Sequence, residues 1–289
     1  MALTKKGAKM LKLLTHEIKS RWVVILGWGF GLILFGAIYI SIFDGMFDQM
    51  TVFKDLWAYK IIGMQLGSVE GYIASVILAY ISVLVGIYCI VSSTSTLAGE
   101  EDNGTLELLA AMPLSRWQLL TAKAVALSII VISLMIIASI GNAVLLEVMK
   151  FDTQINVTPF GLFVALISIL PLAVGFIMIG LFLGAILPNR RMATTVMTVY
   201  FVLSYFGENI AGMVKSLEPI KYFSLFNYYN TTATIFSGGP KLLDVLILLA
   251  IAAVFYVLAL IFFSRRNITV GAWPWQRGKI PVSPTTNLF

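Results

Sequence analysis

The chain has 289 residues, of which 59% are hydrophobic and 12% charged, with a mean hydropathy of +0.94 and a formal net charge of +6. Soluble domains carry about a quarter charged residues, so this composition excludes an ordinary soluble protein. The single cysteine, Cys89, excludes a disulfide framework and a cysteine-based metal centre.

Residues 1–21 come first. Leu3, Met10, Leu11, Leu14 and Ile18 recur near a helical period, while Lys5, Lys9, Lys12 and Lys19 fall largely on other faces. They predict an amphipathic helix lying at a membrane surface, the alternative being a frayed basic tail that enforces topology. The apolar stretch behind it is longer than a signal-peptide core and has no small-residue cleavage site, so it is expected to be retained.

Residues 22–42 contain no Asp, Glu, Lys, Arg or His. At about 1.5 Å of rise per residue such a run crosses the roughly 30 Å hydrocarbon layer. Five further runs are similarly long and apolar, at about 72–98, 119–146, 160–187, 192–214 and 242–263, with Lys123, Glu208 and Asp244 the charged residues within them. Backbone amides in lipid must be satisfied within their own segment, so each run is expected to be an α-helix; the short alternating segments of a barrel are absent. The fold class expected is an all-α integral membrane protein: six transmembrane helices over 22–264, an amphipathic helix before them and a tail at 265–289. The loop at 43–70 predicts an interfacial helix with Trp57 and Tyr59 among its aromatics. The aromatic loop at 215–240 predicts either short re-entrant helices or an interfacial cap. Gly27/Gly31 and Gly180/Gly184 have the spacing that lets membrane helices approach closely.

Between the second and third runs lies a dense polar insertion, GEEDNGTLELLAAMPLSRWQLLTAK, at 99–123. Glu100, Glu101, Asp102 and Asn103 make an acidic turn and Gly104 permits a sharp change of direction. Residues 105–112 predict a short helix that Pro113 stops. Ser115 and Gln118 then have capping-box spacing, with Leu114 and Leu119 placed to form a hydrophobic staple. The result is a short, stiff helix between two transmembrane helices. Leu106, Leu108, Leu109 and Met112 are too many apolar groups for an eight-residue helix standing free in water; some are expected to face the membrane surface and others to fit a protein groove, with the flanking acids fixing register.

Lys and Arg set the orientation. The segments on the side of both termini hold fourteen, and the opposite side holds six. This excess marks the terminal side as cytoplasmic. The basic pI therefore reflects topology and anionic headgroups, not nucleic acid, for which no basic groove with interleaved aromatics is present.

The run E-E-D-N-G-T-L-E-L-L-A-A-M-P-L-S-R-W-Q-L-L-T-A-K resembles the signature of ABC-2-type transporter permeases, at Glu100 or Glu101, Gly104, Thr105, Leu106, Glu107, Leu108, Leu109, Pro113, Ser115, Arg116 and Lys123. EPIKYFSLFNYYN at 218–230 is similar to the segment before the family's last span, with Leu225 where proline usually stands, and RRNI at 265–268 is similar to its closing basic motif. The resemblance implies the transmembrane subunit of an exporter in a bacterial or archaeal plasma membrane. Two such subunits, identical or close paralogues, would pair, with two copies of an ATP-binding cassette subunit beneath them. The insertion would be the coupling helix seated in that ATPase, and the N-terminal helix, with Lys5, Lys9, Lys12, Glu17 and Lys19, an interface helix making a second contact. Closure of the ATPase dimer would drive alternating access.

No G-x-x-x-x-G-K-[ST] occurs in the chain, so ATP and Mg are expected on the partner ATPase; this chain is expected to be no enzyme and to hold neither cofactor nor metal. Three other readings stand beside this one. An ion-driven secondary transporter would place ionisable groups near the bilayer midplane, whereas Glu147, Glu208 and Asp244 fall towards span ends. An intramembrane protease lacks its histidine, since the only one is His16. A permease-like scaffold or sensor that moves no substrate is the alternative the sequence leaves open. Candidates for a substrate path are Tyr200, Tyr205, Glu208 and Asn209, with an aromatic belt and a headgroup-level carboxylate as their structural readings.

Overall fold

The structure is a computed structural model that describes residues 2–52, 68–99, 114–149, 157–213, 215–229, 231–232 and 234–265. Among these residues there are helices and turns and no strand. Helix α1 (Ala2–Ser20) is followed after Arg21 by α2 (Trp22–Val52). At 31 residues, α2 runs on for about ten residues past the predicted end of the first span. The predicted interfacial helix around Trp57 and Tyr59 lies outside the described residues.

Helix α3 (Ala79–Thr94) has a π-helical stretch at each end, Ile73–Leu78 and Ser95–Gly99. The second follows from the run Ser-Ser-Thr-Ser-Thr at 92–96. Ser93, Thr94 and Thr96 donate their hydroxyls to carbonyls four residues back, at Cys89, Ile90 and Ser92. Such back-bonding competes with the regular ladder and widens or bends a helix. Helix α4 (Arg116–Val148) forms the third predicted span.

The fourth predicted span is two helices, α5 (Pro159–Ile167) and α6 (Leu170–Ile186). Pro171 in the first turn of α6 has no amide to continue the ladder, so the chain turns at Ser168 and Ile169. Thr158 caps α5 by accepting from the Gly161 amide at 3.0 Å. Helices α7 (Arg190–Met213), α8 (Thr234–Gly238) and α9 (Leu242–Arg265) complete the bundle. Among the described residues, five stretches are long and apolar enough to cross a membrane: Trp22–Ile42, Glu70–Gly99, Arg116–Val148, Pro159–Ile186 and Leu242–Arg265. The predicted fifth span corresponds to α7, a 24-residue helix whose threonines, Glu208 and Asn209 make it more polar than those five stretches.

Helix α6 is the centre of the bundle, with α3, α4, α7 and α9 packed around it. Gly180 lets it approach α3, since a Cβ there would overlap Ser93 Oγ. Helix α2 lies along α4 through interleaved contacts, Gly29 against Ile137, Ile33 against Gly141 and Gly36 against Asn142. Asn142 is fully buried and donates to Ala138 O (2.9 Å) and Leu32 O (3.3 Å). Gly27 and Gly31, by contrast, have open space where a Cβ would stand.

The loop after α7 forms two 3-10 helices, Lys215–Phe223 and Leu225–Tyr228. Ser224 pins it to α7, donating to Ser204 O at 2.7 Å, while the Leu225 amide donates to Ser204 Oγ at 3.1 Å. Phe226 then enters an aromatic cluster with Phe176, Phe201 and Tyr205. Leu225 is buried against the bare backbone of Gly175. On the exposed edge of this loop Lys221 donates to Glu218 at 2.8 Å, which holds the Glu218 carboxyl below its ordinary value and raises Lys221.

Candidate functional site

Residues 100–113 lie outside the described residues, and with them Glu100, Glu101, Gly104, Thr105, Leu106, Glu107, Leu108, Leu109 and Pro113. What the structure places is the pair of flanks that hold this segment. On the entering side α3 ends at Gly99, whose missing side chain makes room for Arg190 at the start of α7; a Cβ there would stand 3.3 Å from Arg190 Cδ. One turn earlier, Thr94 and Thr194 share a hydrogen bond of 2.9 Å. The end of α3 and the beginning of α7 are thus fastened together.

On the leaving side the first turn of α4 is stiffened by the predicted capping residues. Gln118 Oε1 accepts from the Ser115 amide at 3.0 Å, and the Leu119 amide reaches Ser115 O at 3.1 Å. Arg116 reaches α9 and donates to Ser264 O (3.1 Å) and Phe263 O (3.5 Å). Those carbonyls end α9, where a helix has orphan acceptors and a negative dipole end, so a guanidinium satisfies both. Five residues on, Thr121 and Tyr256 hydrogen bond at 2.7 Å and repeat the α4–α9 link.

Lys123 makes the third connection. Its side chain is completely buried, and Nζ donates to Glu17 Oε1 of α1 at 2.9 Å. The other Glu17 oxygen lies 3.5 Å from Arg21. A buried ammonium is tolerated only when paired, so the pairing fixes α1 against α4. Glu17 is the only acid in α1 and it faces inward, while Lys9, Lys12, His16 and Lys19 are exposed. The insertion's flanks therefore grip α1, α7 and α9 at one end of the bundle. Pairing over more than a hundred residues leaves no local trace, and sequence reasoning picked out Glu17, Arg116 and Lys123 without their partners.

A second feature is an apolar cavity of about 590 Å³ between α3 and α7. Tyr80, Ile87, Phe201, Tyr205 and Phe206 form much of its wall, with the hydroxyls of Thr194 and Thr198. The four residues named for a substrate path divide here. Tyr205 lines this cavity. Tyr200 faces a separate groove between α6, α7 and α9, where its hydroxyl donates to Phe223 O at 3.1 Å. Glu208 and Asn209 are half-buried further along α7 and line neither; Asn209 donates back to Tyr205 O at 2.8 Å.

Comparison with known families decides the class. The family model described as ABC-2 family transporter protein matches residues 12–268. This chain belongs to the ABC-2 transporter family. Its apolar helices and that family make it a multi-pass membrane protein. ABC-2 permeases generally work with an ATP-binding cassette subunit. A search of curated proteins returned no match. In this ABC-2 chain the matched stretch begins at Lys12, inside α1, and so includes the Glu17–Lys123 connection along with the insertion and the cavity.

Proposed function

We infer that this chain is the transmembrane permease subunit of an ABC-2 exporter. A separate ATP-binding cassette subunit, present in two copies, binds ATP and Mg and grips the insertion through Glu107 and the leucines around it. Two permease subunits pair, and movement of the insertion switches the bundle between inward-open and outward-open states across a bacterial or archaeal plasma membrane.

The observation that carries this reading is the arrangement of the insertion's flanks. Arg116 ties the leaving flank to the end of α9, Lys123 ties it to α1, and the entering flank is tied to α7 through Gly99 and Thr94. A push on residues 100–113 reaches α1, α7 and α9 through short, stiff contacts. The cavity between α3 and α7 supports a cargo with an apolar body, since aromatic and aliphatic side chains dominate its wall.

The test is purification of the tagged chain from its membrane in mild detergent, with mass spectrometry of what accompanies it. The expected result is a stoichiometric partner carrying a P-loop, lost when Glu107→Lys is introduced. A chain that purifies alone and moves solute into vesicles without ATP would overturn the proposal.

A further inference from the structure

The exposed face of α1, which the family resemblance implies is a second ATPase contact, also carries a distinct pattern of positive charge. Lys9, Lys12, His16 and Lys19 are all exposed and stand at spacings of three, four and three residues. At 3.6 residues per turn these positions fall within about 80° of arc, a single stripe. Glu17, the one acid of the helix, sits on the buried side and is held by Lys123 and Arg21. The stripe therefore has no countercharge on its own helix. Beside it, Leu11 is 60% exposed, and so are Trp22 and Val23, which begin α2 immediately after Arg21.

We propose that this stripe is a binding surface for anionic phospholipid headgroups. The apolar run of α2 starts at Trp22, so the last turns of α1 lie where the chain enters the hydrocarbon. Lys19 is about 4.5 Å along the helix axis from Trp22 and Lys12 about 15 Å. The headgroup layer, the reach of a lysine stem and a Debye length of about 8 Å together cover that distance. The composition also favours lipid over protein: lysine is depleted in protein interfaces, whereas cationic stripes flanked by Leu and Trp are the mark of helices at bilayer surfaces. Each lysine near such a surface strengthens binding by about fivefold. The inference concerns lipid only and does not depend on an ATPase partner.

The full chain, retaining Trp22 as its only tryptophan, is reconstituted in phosphatidylcholine vesicles containing a small fraction of brominated phosphatidylglycerol or brominated phosphatidylcholine. Quenching of Trp22 reports which lipid gathers beside α1. The expected result is stronger quenching by the anionic lipid, a preference lost in K9Q/K12Q/K19Q and in about 0.5 M salt and kept in K9R/K12R/K19R. Equal quenching by the two lipids in the parent chain would overturn the proposal, as would an undiminished preference in the glutamine variant. A glutamine variant that keeps the lipid preference but loses a co-purifying protein would assign the stripe to that protein instead. The three lysines are exposed, and the arginine variant separates loss of charge from loss of fold.

Discussion

Lys123 and Glu17 meet at 2.9 Å across the gap between α4 and α1, and the lysine has no exposed surface at all. The connection turns an amphipathic helix that would otherwise lie loosely on the membrane into part of the bundle. Breaking a buried pair leaves a charge without its partner and costs about 3–5 kcal/mol; Glu17 keeps some exposure, so the low end applies. Glu17→Gln and Lys123→Met alone are each expected to lower the unfolding temperature in detergent, and the double variant to recover most of the loss. Single variants as stable as the parent would show that the pair holds nothing.

Arg116 makes a different kind of connection. It closes the last carbonyls of α9 with two N–H donors, at Ser264 O and Phe263 O. Arg116→Gln is expected to cost about 1 kcal/mol, the scale of a cation at a helix C-terminus, and to speed hydrogen exchange in the last turn of α9. Arg116→Lys keeps the charge and should recover part of the protection. Unchanged exchange near Ser264 in Arg116→Gln would remove the role.

Five of the six expected spans were legible because long apolar runs with at most one or two charges have few alternatives in lipid, and the capping residues Ser115 and Gln118 were legible because they act over one turn. Two kinds of feature were not. The break inside Pro159–Ile186 rests on Pro171, and a proline in a membrane helix is compatible with either a kink or a continuous rod. The pairings Glu17–Lys123, Thr94–Thr194 and Arg116–Ser264 join residues far apart in sequence, and nothing near any of them names its partner. Tyr200 and Tyr205 looked equivalent in sequence; five residues of helix turn them to different sides of α7.

The glycines separate in the same way. Gly27 and Gly31 share the spacing expected of a close helix contact, yet an added methyl meets open space at both, while at Gly36 on the same helix it would overlap the Asn142 side chain. Gly36→Ala is expected to cost about 1–3 kcal/mol as overpacking, and Gly31→Ala almost nothing in the isolated subunit. Thermal stability of the two variants in detergent distinguishes them. Equal losses would mean that α2 and α4 do not meet as described.

The cavity between α3 and α7 makes the last prediction, because only one side of α7 faces it. Thr198 and Val202 line its wall together with Tyr205, whereas Tyr200 is engaged on the other side with Phe223 O. Thr198→Trp or Val202→Trp would fill much of a space of about 590 Å³ while leaving Thr94, Arg116 and Lys123 themselves unchanged. If the cavity receives the apolar part of the cargo, each variant should reduce efflux of a lipophilic dye by roughly tenfold, the scale of excluding a ligand group worth about 1.4 kcal/mol. Co-purification with the ATPase should be unaffected. Tyr200→Phe removes one hydrogen bond, worth about 1 kcal/mol of stability, and should leave efflux intact. The reverse pattern, with efflux lost in Tyr200→Phe and kept in both tryptophan variants, would move the cargo route to the groove between α6, α7 and α9.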